Sequence, residues 1–325
     1  VSLIFSNRWL DSSIFEGKPE CWVTLSTEKY KSDGTEHGCH MDASTAVELL
    51  VGGAARGLTL ALLGAGITLI FGLGDVLNIS IGIFAVIAVI TASEVMTIVP
   101  NAAVAAVGGL VAVGLLGLAV DRSVLSLVYR EEGEDRVLLG IFVTIGLLLF
   151  LEGILFVYYP QAYSLPFSVP TFSYGEITIL GSGFVQLLIA GVVLTGLFLF
   201  LRLTYLGKAT RTIFQDEVGA ALCGINIRRV RTLIFVVSVM LAGLAGLLQS
   251  LEANLAAADA FELTSFGIIV SIVGGVRNIR GTVAAGLLLG LVITFGNSLI
   301  GAFVSKMILF GVAVLVLLLR PGEIA

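Results

Sequence analysis

Residues 102–120 read AAVAAVGGLVAVGLLGLAV, a run with no polar side chain, and comparable runs recur along the chain. A run this long and this apolar can be placed in few ways. About 20 such residues are what a helix needs to cross a bilayer. Further runs lie near 48–70, 77–98, 137–158, 183–203, 230–250, 281–300 and 303–320. Only 13% of residues are charged, against about 25% in a soluble domain. None of the runs alternates polar and apolar residues as barrel strands do. The fold class expected is all-α, a polytopic helical membrane bundle of about eight or nine spans. The ninth is uncertain: 264–275, TSFGIIVSIVGG, is short for a crossing unless its helix starts earlier.

Lysine and arginine mark cytoplasmic loops. The 202–231 loop carries Arg202, Lys208, Arg211, Arg228, Arg229 and Arg231, and the 121–136 loop carries Arg122, Arg130 and Arg136. Arg277 and Arg280 fall in the turn 276–280, and Arg320 near the end. The loops 157–182 and 251–263 hold only acids, Glu176, Glu252, Asp259 and Glu262. The bias places the C-terminus in the cytoplasm and the N-terminus outside, in the cell membrane. The prolines and aromatic residues of 157–182 suggest either an ordered cap that docks a partner or a simple lid.

Residues 1–40 differ in kind from the apolar, span-bearing region 41–325. They hold both tryptophans (Trp9, Trp22), both histidines (His37, His40), and Cys21 and Cys39. HGCH lacks the paired spacing of a structural zinc site, so no metal is expected. The segment reads as a disordered tail or as upstream translation, with Met41 the natural start. It is no signal peptide.

Catalytic signatures are absent. There is no GxxxxGK[ST] loop, no HExxH and no serine elbow, so no enzyme activity and no bound cofactor are expected. No long basic run suggests nucleic acid. Glu94 and Glu152 lie near span ends and Arg56 near the start of the first span, where snorkelling is open to them as well as function. Glycines, 39 in all, suit close helix approach, as in Gly286 and Gly290. GDVLNISIG (74–82) sets Asp75, Asn78 and Ser80 between two apolar runs. It reads either as a helix interruption lining a path or as an ordinary turn with Asn78 capping the next helix.

One polar island interrupts the apolar pattern: TYLGKATRTIFQDEVGAALCGINIRRVRT (204–232). Residues 208–222 contain no proline, and Ile213, Phe214, Val218, Ala221 and Leu222 share a helical face. A single surface helix ending at Gly224 is expected, lying either on the membrane or in a partner's groove.

Residues 201–248 resemble the branched-chain amino acid ABC transporter permeases of the LivH/LivM type. The matching positions are Thr204, Gly207, Ala209 and Arg211, then Asp216, Ala220, Gly224 and Ile225, then Ala242, Gly243, Ala245 and Gly246. LLGAGITLIFGLGDVLNISIG (62–82), TIG (144–146), VGGVRNIRGTVAAGLLLGL (273–291) and LLLRPGEI (317–324) resemble other family motifs in the same order. The chain departs from the type at NISIG, which lacks the family's usual histidine and is closer to the sugar-type permeases, and at Asp75, where the family is usually apolar or glycine.

The resemblance implies one membrane subunit of an ATP-binding-cassette importer, paired with a similar or identical permease. Two cytoplasmic ATP-binding subunits would carry ATP and Mg, and an external binding protein would deliver branched-chain amino acids. The coupling segment it implies comprises Gly207, Arg211, Asp216, Glu217, Ala220, Gly224 and Ile225. A path is expected along Asn78, Ser80, Gly82, Thr144, Gly146, Gly274 and Gly275. Other cargo stays open, namely urea, amides, other amino acids or sugars. A stand-alone carrier or channel, or a membrane enzyme, is the alternative class.

Overall fold

A computed structural model describes residues 43–74, 77–129, 134–165, 172–174, 177–179 and 181–319. The expectations for the first 40 residues, Asp75, Arg130, Glu176 and Arg320 fall outside them. Helices dominate. In chain order they are α1 (Ala43–Gly74), α2 (Ile81–Ile98) and α3 (Ala102–Val120). A π-helical turn (Asp121–Leu125) and α4 (Ser126–Val128) then prolong α3. Next come α5 (Glu134–Tyr158), α6 (Gly181–Leu203), α7 (Tyr205–Gln215), α8 (Glu217–Leu222) and α9 (Ile227–Gln249). Last are α10 (Ala260–Gly274), α11 (Ile279–Leu299) and α12 (Ala302–Leu319).

Among the described residues, eight helices are long and apolar enough to cross a membrane. The set differs from the sequence expectation in two respects. The short run 264–275 belongs to a longer span, because a 3-10 turn (Ala257–Asp259) leads into α10 and the whole covers Ala257–Gly274. The apolar stretch of α12, Ala302–Val316, is shorter than the eight.

Side-chain caps decide several helix starts. The Asn101 amide oxygen accepts from the Ala103 and Val104 amides at 3.0 and 3.4 Å. Asn226 does the same for Arg229, and Asn278 for Gly281. Each satisfies a backbone donor that the first helical turn leaves without a partner.

The long α1 is the spine of the bundle, packed against α6, α9, α10 and α11. Its contact with α11 is backbone to backbone. A side chain at Gly290 would collide with the Gly57 backbone, and one at Gly286 would come 2.7 Å from the Ala61 Cβ. Gly246 and Gly243 let α9 close on α2 at Ala85 and Ala88 in the same way. In lipid, where apolar contact alone no longer drives association, such close approach is what holds helices together.

The acidic loops share one end. Tyr163 and Leu255 exchange backbone hydrogen bonds of 2.8 Å in both directions, stitching the 157–182 loop to the 251–263 loop. The first of these loops also carries an antiparallel hairpin, β1 (Phe172–Tyr174) with β2 (Ile177–Ile179), Ser173 opposite Thr178. This hairpin is a small addition to an otherwise helical fold. The basic loops also meet: Arg136 reaches Glu217, and Arg202 and Arg211 share a cavity with Arg277 and Arg280. The charge asymmetry of the sequence is thus an asymmetry of the molecule's two ends.

Candidate functional site

The polar island does not form the single helix expected over 208–222. Thr204 starts α7 earlier, its hydroxyl accepting from the Gly207 amide at 3.1 Å. Gly207 allows the sharp fold-back from α6, since a side chain there would run into the Leu201 backbone. The helix then breaks at Asp216, which is extended at φ −155° and ψ 109°. Aspartate is a poor interior helix residue and a good start residue. Its backbone carbonyl accepts from the Ala220 amide at 3.0 Å and so opens α8. Gly219 matters here for lack of bulk: the Asp216 carboxylate lies 2.6 Å from where a Cβ would sit.

The break divides the apolar stripe. Ile213 is buried, and Phe214 fills the space that a side chain at Gly72 of α1 would need. On α8, Val218 and Leu222 are 69% and 85% exposed. The inward half anchors the segment, and the outward half is left to meet something else. The expectation of one continuous docking stripe is corrected to a short one on α8. Gly224, at φ +78°, ends α8. Its amide donates to Ala221 O at 2.9 Å and the Ile225 amide to Ala220 O at 3.1 Å, the paired bonds of a Schellman stop. Ala220 is buried, and Ile225 packs on the core. Arg211 lies on the exposed side, its guanidinium 3.4 Å from Arg202 O.

Glu217 ties this segment to the spans. Its carboxylate accepts from Arg231 of α9 at 2.7 Å and from Arg136 of α5 at 3.3 Å. Arg231 is only 8% exposed and its guanidinium lies 4.8 Å from the Tyr129 ring centroid. Burial first, then the Asp121 charge, pushes the Tyr129 phenol up to about 12, so the ring under the cation stays neutral. Asp121, in the π-helical turn, accepts from Thr232 at 2.6 Å. A cavity of about 300 Å³ opens among Asp121, Tyr129, Glu217, Arg228 and Arg231. Sequence reasoning placed Glu217 in the segment but missed these partners, having used Arg136 and Arg231 only as topology markers.

The expected path residues fall into two groups, with Gly146 apart from both. Asn78, Ser80, Gly82 and Thr144 form one buried joint. The Asn78 amide oxygen accepts from the Ser80 amide at 3.0 Å and hydroxyl at 2.6 Å. Thr144 of α5 accepts from the Ile79 amide and donates to Leu77 O, both at 3.2 Å. The Gly82 amide donates to Thr264 of α10 at 2.9 Å. Asn78 and Ser80 are both buried, and the Asn78 amide nitrogen has no hydrogen-bond partner. This is no surface turn, and Asn78 does not cap α2, whose start residue is Ser80.

Gly274 and Gly275 sit elsewhere. Gly274 packs against the backbone at Gly281 and Thr282, and Gly275, at φ +89°, terminates α10. Beside them lies a hydroxyl cluster that the sequence did not reveal, Thr68 with Ser271 at 2.8 Å and with Thr282 at 3.0 Å. Gly146 of α5 has no atom within 4 Å of its missing side chain, so it borders open space.

At the acidic end, a cavity of about 290 Å³ lies among α1, α9, α10, α11 and α12. Arg56 lines it. It feels the Glu252 carboxylate but forms no ion pair with any described residue. Asn297 also lines it, its amide oxygen buried and without a donor, and Leu60, Phe266 and Ile293 are apolar wall. Glu262 and Lys306 close the rim at 2.6 Å. Sixteen residues separate Arg56 from Gly72, which the Phe214 ring of α7 covers. At 1.5 Å per residue this cavity is about 24 Å from the 204–225 segment.

No solved structure matches the chain. Curated proteins do. A high-affinity branched-chain amino acid transport system permease protein, BraD of Pseudomonas aeruginosa, is 28% identical over 295 residues, covering 86% of this chain and 95% of BraD. The LivH permease proteins of Salmonella typhimurium and Escherichia coli are each 25% identical, covering 86% of this chain and 94% of their own. The family model for the permease component of branched-chain amino acid transport systems matches residues 49–318, from the first turns of α1 to the last turn of α12. With that match running through the bundle, the 204–225 segment and both cavities, the chain belongs to the family of branched-chain amino acid transport system permease components.

Proposed function

We propose that this chain is one of two membrane subunits of an ATP-binding-cassette importer for branched-chain amino acids. Two ATP-binding subunits dock at the basic, cytoplasmic end and a binding protein delivers cargo at the acidic, outer end. ATP and Mg belong to the docked subunits. The observation that carries this reading is the divided segment 204–225. Its α7 half is anchored on α1, and its α8 half exposes Val218 and Leu222 while Glu217 grips α9 and α5. Movement imposed on α8 by a partner passes through short charged contacts to two spans. ATP binding then selects between bundle states.

The amino acid reading draws support from the cavity at the other end. A half-buried cation, an acceptor oxygen without a donor among the described residues and an apolar wall complement a zwitterion with a hydrocarbon side chain. Arg56 would take the carboxylate, and the Asn297 oxygen one ammonium proton.

The test is uptake of labelled leucine by proteoliposomes holding the full assembly. Leu222→Asp is expected to cut ATP-driven uptake by more than tenfold, on the scale of an interface hot spot, with insertion and helicity unchanged. Leucine uptake by this chain without ATP-binding subunits would overturn the reading.

A further inference from the structure

We propose that the groove between α3 and α9, at the basic end, is a binding site for the phosphate of an anionic phospholipid. Its cavity of about 510 Å³ is lined by Arg122 of the π-helical turn, by Arg228 and Arg229 of the first turn of α9, and by Leu118, Thr232 and Leu233. All three arginines are exposed, and none joins an ion pair with a described residue. No carboxylate of a described residue lines the cavity. Asp121 feels Arg228 and Arg122, but it is buried, accepts from Thr232 at 2.6 Å and lines the neighbouring cavity. Glu217 is held by Arg231 and Arg136. One carboxylate against three guanidinium groups leaves the groove positive, and guanidinium groups match phosphate oxygens two at a time. The start of α9 adds to this. Its first turn carries no acid, although the positive end of a helix favours an anion there.

The position and the wall favour a lipid over a soluble anion. The groove lies where the α3 span ends and the α9 span begins, so it sits at a membrane boundary. Leu118 and Leu233 give it an apolar wall. From Arg122 an exposed apolar ridge runs back along α3 through Leu115, Val111, Val107 and Val104, positions that share one face at helical spacing. A headgroup held by the arginines would lay an acyl chain on that ridge, a surface that a free phosphate does not need. Basic pockets between spans hold anionic headgroups by this combination. Because α9 starts directly after the 204–225 segment, a bound headgroup would brace that start against α3.

Native mass spectrometry of the full chain from nanodiscs tests this directly. The discs would hold phosphatidylcholine with a minor fraction of phosphatidylglycerol or cardiolipin. Wild type is expected to retain the anionic lipid in preference to phosphatidylcholine. R122Q/R229Q takes one arginine from each side of the groove and leaves Arg228, which Asp121 feels, in place. It should lose the preference by on the order of 25-fold, about fivefold for each arginine. R122K/R229K, which keeps the charge, should lose much less, and circular dichroism checks that each variant is helical. A misfolded double variant is replaced by R229Q alone, with about a fivefold loss expected. Inorganic phosphate added at millimolar concentration should leave the retained lipid in place. Equal retention by wild type and the glutamine variants overturns the proposal, and if those variants then fail to capture ATP-binding subunits, the groove is a protein contact instead. Displacement by inorganic phosphate also overturns it, making this a soluble-anion site. The lipid readouts use neither leucine nor ATP, so their result stands apart from the transport reading.

Discussion

Two spans of this protein, α1 and α5, show how little hydrophobicity has to do with burial in a membrane bundle. The α5 span is the more hydrophobic, with a mean hydropathy of 2.5 against 1.7 for α1. Yet 17% of its most apolar 18-residue stretch is buried inside the protein, against 78% for that of α1. In water the order would be reversed. In a bilayer, lipid tails solvate leucine and phenylalanine as well as a protein core does, so they sort nothing. What sets α1 apart from α5 is shape: Gly53, Gly57 and Ala61 let the α11 backbone reach it, and Gly64 admits side chains of α10 and α11. Two of the three glycines of α5, Gly146 and Gly153, meet nothing within 4 Å.

The largest expected effect follows from that contrast. Gly290→Leu places a side chain into the Gly57 backbone, where nothing flexible can yield. Overpacking of this kind costs about 1–3 kcal/mol in a core that can adjust, and a backbone clash lies at the upper end or beyond. Size-exclusion profiles and thermal midpoints in detergent should show misassembled protein. The same change at Gly146 should leave both unchanged, within about 0.5 kcal/mol. Equal damage at the two positions would break the comparison.

A second test moves to the 204–225 segment, where α5 does make a specific contact. Glu217 bonds Arg231 at 2.7 Å and Arg136 at 3.3 Å. Arg231 is buried and Glu217 is 38% exposed, so solvent weakens both pairs. A double-mutant cycle of Glu217→Gln with Arg231→Gln is expected to give a coupling energy of about 1–2 kcal/mol, and the Arg136 cycle less than about 1 kcal/mol. A larger value for Arg136 would mean that α5, not α9, is the firmer attachment of α8.

These contrasts also explain what the sequence could reveal. Long apolar runs, the arginine bias and the glycine motifs are local, and they announced the helices, the two ends and the close contacts. The break at Asp216 was less visible, because the periodicity from Ile213 to Leu222 continues across it and only the aspartate's poor helix preference argues otherwise. The partners of Glu217 were invisible, since Arg136 lies 81 positions away and nothing local pairs them. The Thr68, Ser271 and Thr282 cluster was hidden for the same reason. Single hydroxyl groups in apolar runs look alike until the fold brings three together.

A third prediction concerns α3, a span 33% buried and so nearer α5 than α1. Its start rests on Asn101, which accepts from two backbone amides at an exposed position. Asn101→Ala should cost about 1 kcal/mol, seen as faster hydrogen exchange in the first turn of α3 with α1 untouched. Exchange spreading to α1 would mean that the weakly buried spans support the spine.

The smallest effect is expected at the most buried polar site. Thr68 has no exposed surface and bonds both Ser271 and Thr282. In water-soluble cores, removing such a hydroxyl and leaving its partners unpaired costs about 1–3 kcal/mol. In membrane bundles the average worth of an interhelical hydrogen bond is about 0.6 kcal/mol, because the separated helices find other partners. Ser271 and Thr282 would each keep such options, Thr282 through its 3.1 Å bond to Asn278 O. Thr68→Val, which preserves shape, should therefore shift the thermal midpoint less than Gly290→Leu by a wide margin. If the order is reversed, polar bonds rather than close backbone packing hold α1 at the centre, and the contrast with α5 has to be rebuilt on hydrogen bonding.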